Sequence, residues 1–140
     1  MNYLQELTPT FVSIKDEKFI LNSSSHDYLK CIIQKAQPVR KLFRNGKLDC
    51  YSMDAKRSHS GKTYCVFCDQ NYICQRKIRL SMIMINCTEP IPIILDINQP
   101  SFPGFQELVE KIGEDELNDT PVNLSIVYDD NDKRCIEFST

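Results

Sequence analysis

Residues 77–113 read KIRLSMIMINCTEPIPIILDINQPSFPGFQELVEKIG. Ile78, Leu80, Met82 and Met84 alternate with Lys77, Arg79 and Ser81, the two-residue period of a half-buried strand. After a polar connection, PIPIILDI (90–97) repeats the pattern through Ile91, Ile93, Leu95 and Ile97, and Pro90 and Pro92 assign the start of this strand to a sheet edge. The period then changes. Phe102, Phe105, Leu108, Val109 and Ile112 recur at helical spacing behind Ser101, a predicted N-cap, with Pro103 in the first turn and Gly113 as the stop.

Working outward, Val122, Leu124, Ile126 and Tyr128 alternate again, an acidic turn covers Asp129–Asp132, and Ile136 and Phe138 return inward. On the other side, residues 27–43 (DYLKCIIQKAQPVRKLF) predict a strand bent or bulged at Pro38, and Asn45-Gly46 is a turn. Nearer the start, Thr10–Ile14 and Lys18–Leu21 flank an Asp16–Glu17 turn, followed by a loop at Asn22–Ser25. Five strands with one helix between the third and fourth is the order of a mainly β, OB-fold-like Greek-key barrel. We expect one domain over residues 1–140, with an insertion at 45–76 between strands 1 and 2.

That insertion holds the spacing C-x14-C-x2-C-x5-C at Cys50, Cys65, Cys68 and Cys74, which suits a four-coordinate structural zinc. A short run rich in Lys, Ser, Asp and Tyr buries too little apolar surface to order itself, and a metal supplies what the core does not. His59 is the alternative fourth ligand. Cys31, Cys87 and Cys135 lie in apolar contexts and are expected in the core. The first ten residues, MNYLQELTPT, lack the basic and apolar regions of a signal peptide, so a cytoplasmic, reducing setting is expected. No apolar run is long enough for a transmembrane helix, and no membrane partner is expected.

The net charge of −2 hides an asymmetry. Residues 30–79 carry 12 Lys and Arg against 3 Asp and Glu, or +9, whereas residues 80–140 carry 3 against 12, or −9. A polyanion responds to the local patch, not to the average. The candidate contacts are Lys35, Arg40, Lys41, Arg44, Lys47, Lys56, Arg57, Lys62, Arg76, Lys77 and Arg79, interleaved with Tyr51, Tyr64 and Tyr72 as stacking platforms. Phe43 and Phe67 divide evenly between core and ligand roles. Cations along phosphates and aromatics under bases describe a single-stranded nucleic-acid groove, with DNA expected and RNA the alternative ligand. The other reading is a zinc ribbon docking on an acidic protein partner in a replication, recombination or mobile-element complex. An enzyme is not expected: the chain has no H-E-x-x-H, no H-x-E paired with P-C-x-x-C and no Gly-rich phosphate loop.

The stretch from about Val12 to Thr140 resembles zinc-ribbon-bearing OB-fold proteins of bacteria and phages that look like single-stranded DNA-binding proteins. The likeness rests on VSIKDEKFI (12–20), VRKLF (39–43), Cys50-Tyr51-Ser52-x-Asp54, Cys65-x-x-Cys68, Cys74, the strand KIRLSMIMI and Ser101 at the helix start. The zinc-bearing OB domain in the large subunit of replication protein A is similar in carrying a ribbon between its first two strands. The resemblance implies a role in DNA metabolism of a host or a mobile element. Ala55 stands where the family pattern has a glycine.

Overall fold

The computed structural model describes the backbone of residues 8–44, 47–52, 56–57, 63–64 and 73–140, and the side chains of 8–39 and 75–140. The protein is mainly β. In chain order the strands are β1 (Thr10–Phe11), β2 (Ser13–Lys15), β3 (Lys18–Leu21), β4 (Ser24–His26), β5 (Tyr28–Arg44) and β6 (Lys47–Ser52). They continue as β7 (Lys56–Arg57), β8 (Thr63–Tyr64), β9 (Ile73–Met84), β10 (Ile91–Ile97), β11 (Val122–Tyr128) and β12 (Arg134–Ser139). A 3-10 turn at Gln99–Ser101 leads into α1 (Phe102–Ile112), and α2 is the short Glu114–Leu117.

Two compact units emerge: Met1–Ala36 with Arg79–Thr140, and Gln37–Ile78. The expected insertion, 45–76, falls inside the second. The principal sheet has the order β1-β10-β9-β5-β11-β12, with β6 added to β5, and this path does not close on itself among the described residues. A separate sheet holds β2-β3-β4.

In the first unit, alternation decides which side chains enter the core. Leu29, Cys31 and Ile33 of β5, Leu80, Met82 and Met84 of β9, Ile93, Leu95 and Ile97 of β10, and Val122 and Leu124 of β11 are all buried. Phe19 and Leu21 of β3 and Phe105 and Leu108 of α1 are buried with them. At about 25 cal/mol per Å², each such side chain contributes roughly 1.5–3 kcal/mol of hydrophobic stabilisation. The expected turn at Asp16–Glu17 is a two-residue hairpin, Lys15 pairing with Lys18. Both turn residues have positive φ, 52° and 63°, the sign pattern of a type I′ turn matched to strand twist. The residues expected as a loop after it are a second hairpin. Leu21 pairs with Ser24 around Asn22, whose φ of 54° falls where asparagine is tolerated.

β1 pairs with β10 in parallel, Thr10 opposite Ile93 and Phe11 opposite Ile94, and the Val12 N–H donates to Ile94 O at 2.8 Å, so β10 has a strand on its outer side from Ile93 on, past the prolines at its start. One expectation changes. Ser101 precedes α1, yet its hydroxyl makes no capping bond, because the 3-10 turn already puts its backbone in helical geometry. The side chain turns to β12 instead. Its Oγ donates to Asn98 Oδ1 at 2.6 Å and accepts from the Ile136 N–H at 2.8 Å, while Asn98 Nδ2 donates to Arg134 O at 2.8 Å. β12 is the end strand of the path, so these two side chains cover the edge at Arg134 and Ile136. Ser101 is 1% exposed, so Ser101→Ala leaves a buried N–H unsatisfied. We expect a loss of about 1–3 kcal/mol, measured as a lower urea midpoint at unchanged slope.

Gly113 ends α1 as expected, with φ +90° and its N–H donating to Val109 O at 2.7 Å. The turn Asp129–Asp132 is a solvated turn former: Asp129 Oδ1 accepts from the N–H groups of Asn131 and Lys133 at 2.9 and 2.8 Å.

Candidate nucleic-acid interface

The second unit, Gln37–Ile78, contains the far half of β5, β6, the β7–β8 pair and the start of β9. The β5–β6 pairing was not expected from the sequence. It sets Arg40 opposite Ser52, Lys41 opposite Tyr51, Leu42 opposite Cys50, Phe43 opposite Leu48 and Arg44 opposite Lys47, with an irregularity between Leu42 and Phe43. Lys56 lies opposite Tyr64, and Arg57 opposite Thr63. The predicted Asn45-Gly46 turn lies outside the described residues, though Arg44 and Lys47 pair on either side of it. Backbone pairing thus places basic and aromatic positions distant in sequence across from one another.

Of the four candidate metal ligands, Cys50 lies on β6 and Cys74 on β9, which starts earlier than the alternation suggested. Cys65 and Cys68 lie outside the described residues, as do His59, Lys62, Phe67 and Tyr72. The side chains of Arg40, Lys41, Arg44, Lys47, Cys50, Tyr51, Lys56, Arg57, Tyr64 and Cys74 are outside the described set as well. Among the described residues no three His, Cys, Asp or Glu side chains gather around one point.

The described candidate cations divide. Lys35 on β5 and Arg76 on β9 are exposed, and Lys77 is half-buried. Arg79 is engaged within the fold. Its Nε and Nη2 donate to Asp96 Oδ1 and Oδ2 of β10 at 2.8 and 3.0 Å, with the two side chains only 13% and 5% exposed. The guanidinium also lies 5.2 Å from the centroid of the Phe11 ring, and Phe11 itself is 55% exposed. Arg79, expected as a ligand-facing cation, is held by a carboxylate fork and lies against an aromatic face. Phe11 falls in the Thr10–Ile14 segment expected to flank the first turn, with no ligand role expected for it. The one signal was an apolar Phe in the run Thr10-Phe11-Val12, too short for a period to show.

The remaining cysteines are free thiols. Cys31 is fully buried on β5, and burial, with Cys87 adding to it, pushes its thiol up to about 12. Cys87 sits in the β9–β10 connection and not in a strand, its S–H donating to Glu89 O at 2.8 Å. Cys135 on β12 is half-buried and held above its ordinary value by burial first, then by Asp129 and Glu137. It lines a cleft of about 380 Å³ with Gly104, Leu108, Lys111, Ile136 and Phe138. A thiol kept protonated is a poor nucleophile.

Compared with known protein families, with curated proteins and with solved structures, the chain matches none. Among the described residues no helix is long and apolar enough to cross a membrane.

Proposed function

We propose that this chain is a non-enzymatic binder of single-stranded nucleic acid, DNA before RNA, with a structural zinc held by Cys50, Cys65, Cys68 and Cys74. The observation that carries this reading is the coincidence of a structural boundary with a charge boundary. Gln37–Ile78 holds 9 Lys and Arg against 3 Asp and Glu, or +6. The rest of the chain holds 8 against 16, or −8. A compact unit that concentrates cations and tyrosines on paired strands has the composition of a strand-tracking groove.

Strand order supports the OB-type reading. β5, β9 and β10 are three successive partners in the principal sheet, and β11 returns to lie beside β5. That is Greek-key order, with α1 between the third and fourth strands. The path is open where a closed barrel would join its ends, because β1 occupies the outer side of β10 and the Asn98–Ser101 turn covers β12. A cytoplasmic setting and partners in replication or recombination belong to the same proposal.

The test is fluorescence anisotropy of a labelled oligothymidylate with the zinc-assayed protein at two salt concentrations, against duplex DNA and oligouridylate. Binding that prefers the single strand and weakens with salt, at a log–log slope of about −0.7 per phosphate contacted, is the expected result. One zinc per chain is expected, and chelation should abolish binding along with the order of the insertion. Zinc at one per chain without oligonucleotide binding at low salt would instead favour docking on an acidic protein.

A further inference from the structure

We propose that Phe11 is a stacking platform for a base of the bound single strand, an inference that rests on the nucleic-acid reading above. Three large apolar or aromatic side chains stand out as exposed among the described residues: Phe11, Tyr28 and Tyr128. Tyr128 donates to Glu17 Oε1 at 3.2 Å and opens onto the acidic Asp129–Asp132 turn, where phosphates are repelled. Tyr28 sits at the end of β5 where Asn86 closes the strand, its Nδ2 donating to Tyr28 O at 3.1 Å and its Oδ1 accepting from the Lys30 N–H at 3.0 Å. Among the described residues, Phe11 is the one of the three with a cation on its ring.

Its setting is that of a prepared surface. The ladder from β1 to β10 and the Val12–Ile94 hydrogen bond hold the backbone on either side of the ring. Arg79 supports the ring at 5.2 Å and is itself fixed by the Asp96 fork, so the ring loses little freedom when something stacks on it. The residue remains 55% exposed. Phenylalanine carries no polar group to direct a hydrogen bond, which suits a ligand read by its π-face and not by its edges. Arg79 is also the residue that follows Ile78, the last of the cationic unit, along the continuous strand β9.

Two variants test this. Phe11→Leu keeps apolar bulk and removes the π-face, and we expect oligothymidylate affinity to fall about 5- to 150-fold with the salt slope unchanged, because no phosphate contact is lost. Phe11→Trp should bind within about threefold of the parent, since an indole stacks at least as well. The chain contains no tryptophan, so F11W emission reports this position alone. It should be quenched by the oligonucleotide along the same isotherm as the anisotropy. Near-UV circular dichroism of each variant verifies folding. Parent-like binding by F11L with unquenched F11W emission overturns the platform while leaving the nucleic-acid reading intact. Absence of binding by the parent protein overturns that reading itself.

Discussion

Replacing Asp96 with alanine lowers the stability of the unit that contains it by about 3–5 kcal/mol, read as a fall in urea midpoint. Asp96 and Arg79 are 5% and 13% exposed, so both charges have been taken out of water and are balanced by the two-pronged bond at 2.8 and 3.0 Å. Their attraction roughly repays their desolvation, so the intact pair is worth little against an apolar pair of similar volume. Removing one member is another matter, because the guanidinium then loses the two-pronged bond that Asp96 supplies. Asp96→Asn retains one acceptor and should lose less. The double replacement Asp96→Leu with Arg79→Met should recover most of the loss, and a double-mutant cycle should return a coupling of at least about 3 kcal/mol. Additive single effects would refute the pairing as the source of the loss. Arg79→Lys is not conservative here, because an ammonium cannot span both oxygens and also cover the Phe11 ring.

The second large effect comes with alkali. The Cys31 thiol is raised from 9.0 to about 12 by burial, so the native state keeps its proton where an unfolded chain releases it. The unfolded state then binds fewer protons than the native one, and stability falls as pH rises. The contribution is whole below about pH 9 and declines by about 1.4 kcal/mol per pH unit, reaching of the order of 4 kcal/mol near pH 12. Lysines and tyrosines titrate in the same range, so the informative quantity is the difference between parent and Cys31→Ala. That variant loses a small buried side chain and is weaker at neutral pH, but its stability should decline less steeply above pH 9. Parallel curves would remove Cys31 from the account. In the native protein, iodoacetamide should modify the half-buried Cys87 and Cys135 well before Cys31.

Much of the first unit was legible because its strands are half-buried and so keep a period of two. Leu80, Met82 and Met84 announce β9, and the helix over Phe102–Ile112 follows from spacing and from Gly113. What could not be read is non-local. β1 lies in the segment Thr10–Ile14 that the sequence marks beside the first turn, but its partner is β10, late in the chain, and no local window reveals that pairing. β6 has the mixed sequence Lys47–Ser52, and its pairing with β5 is a matter of register, not of local pattern. The fate of Arg79 is the sharpest case. On its strand it occupies the polar position that an exposed, ligand-seeking cation would occupy. Only the adjacency of β9 and β10 brings Asp96 within reach. Local sequence cannot separate a cation awaiting a phosphate from one already matched. The candidate zinc ligands differ again: their spacing is legible, while Cys65 and Cys68 lie outside the described residues.

The covering of β12 by Asn98 and Ser101 has a consequence for how copies of this protein behave in company. An end strand with open amides and carbonyls is a template on which another chain can zip, and growth from such a template feeds fibres. The Arg134 carbonyl and the Ile136 amide are already bonded from within, so a second molecule arriving there finds these two positions taken. Ser101→Ala would therefore do more than weaken the fold. It would reopen a growth point, and the variant should scatter light on gentle warming well before its global unfolding transition.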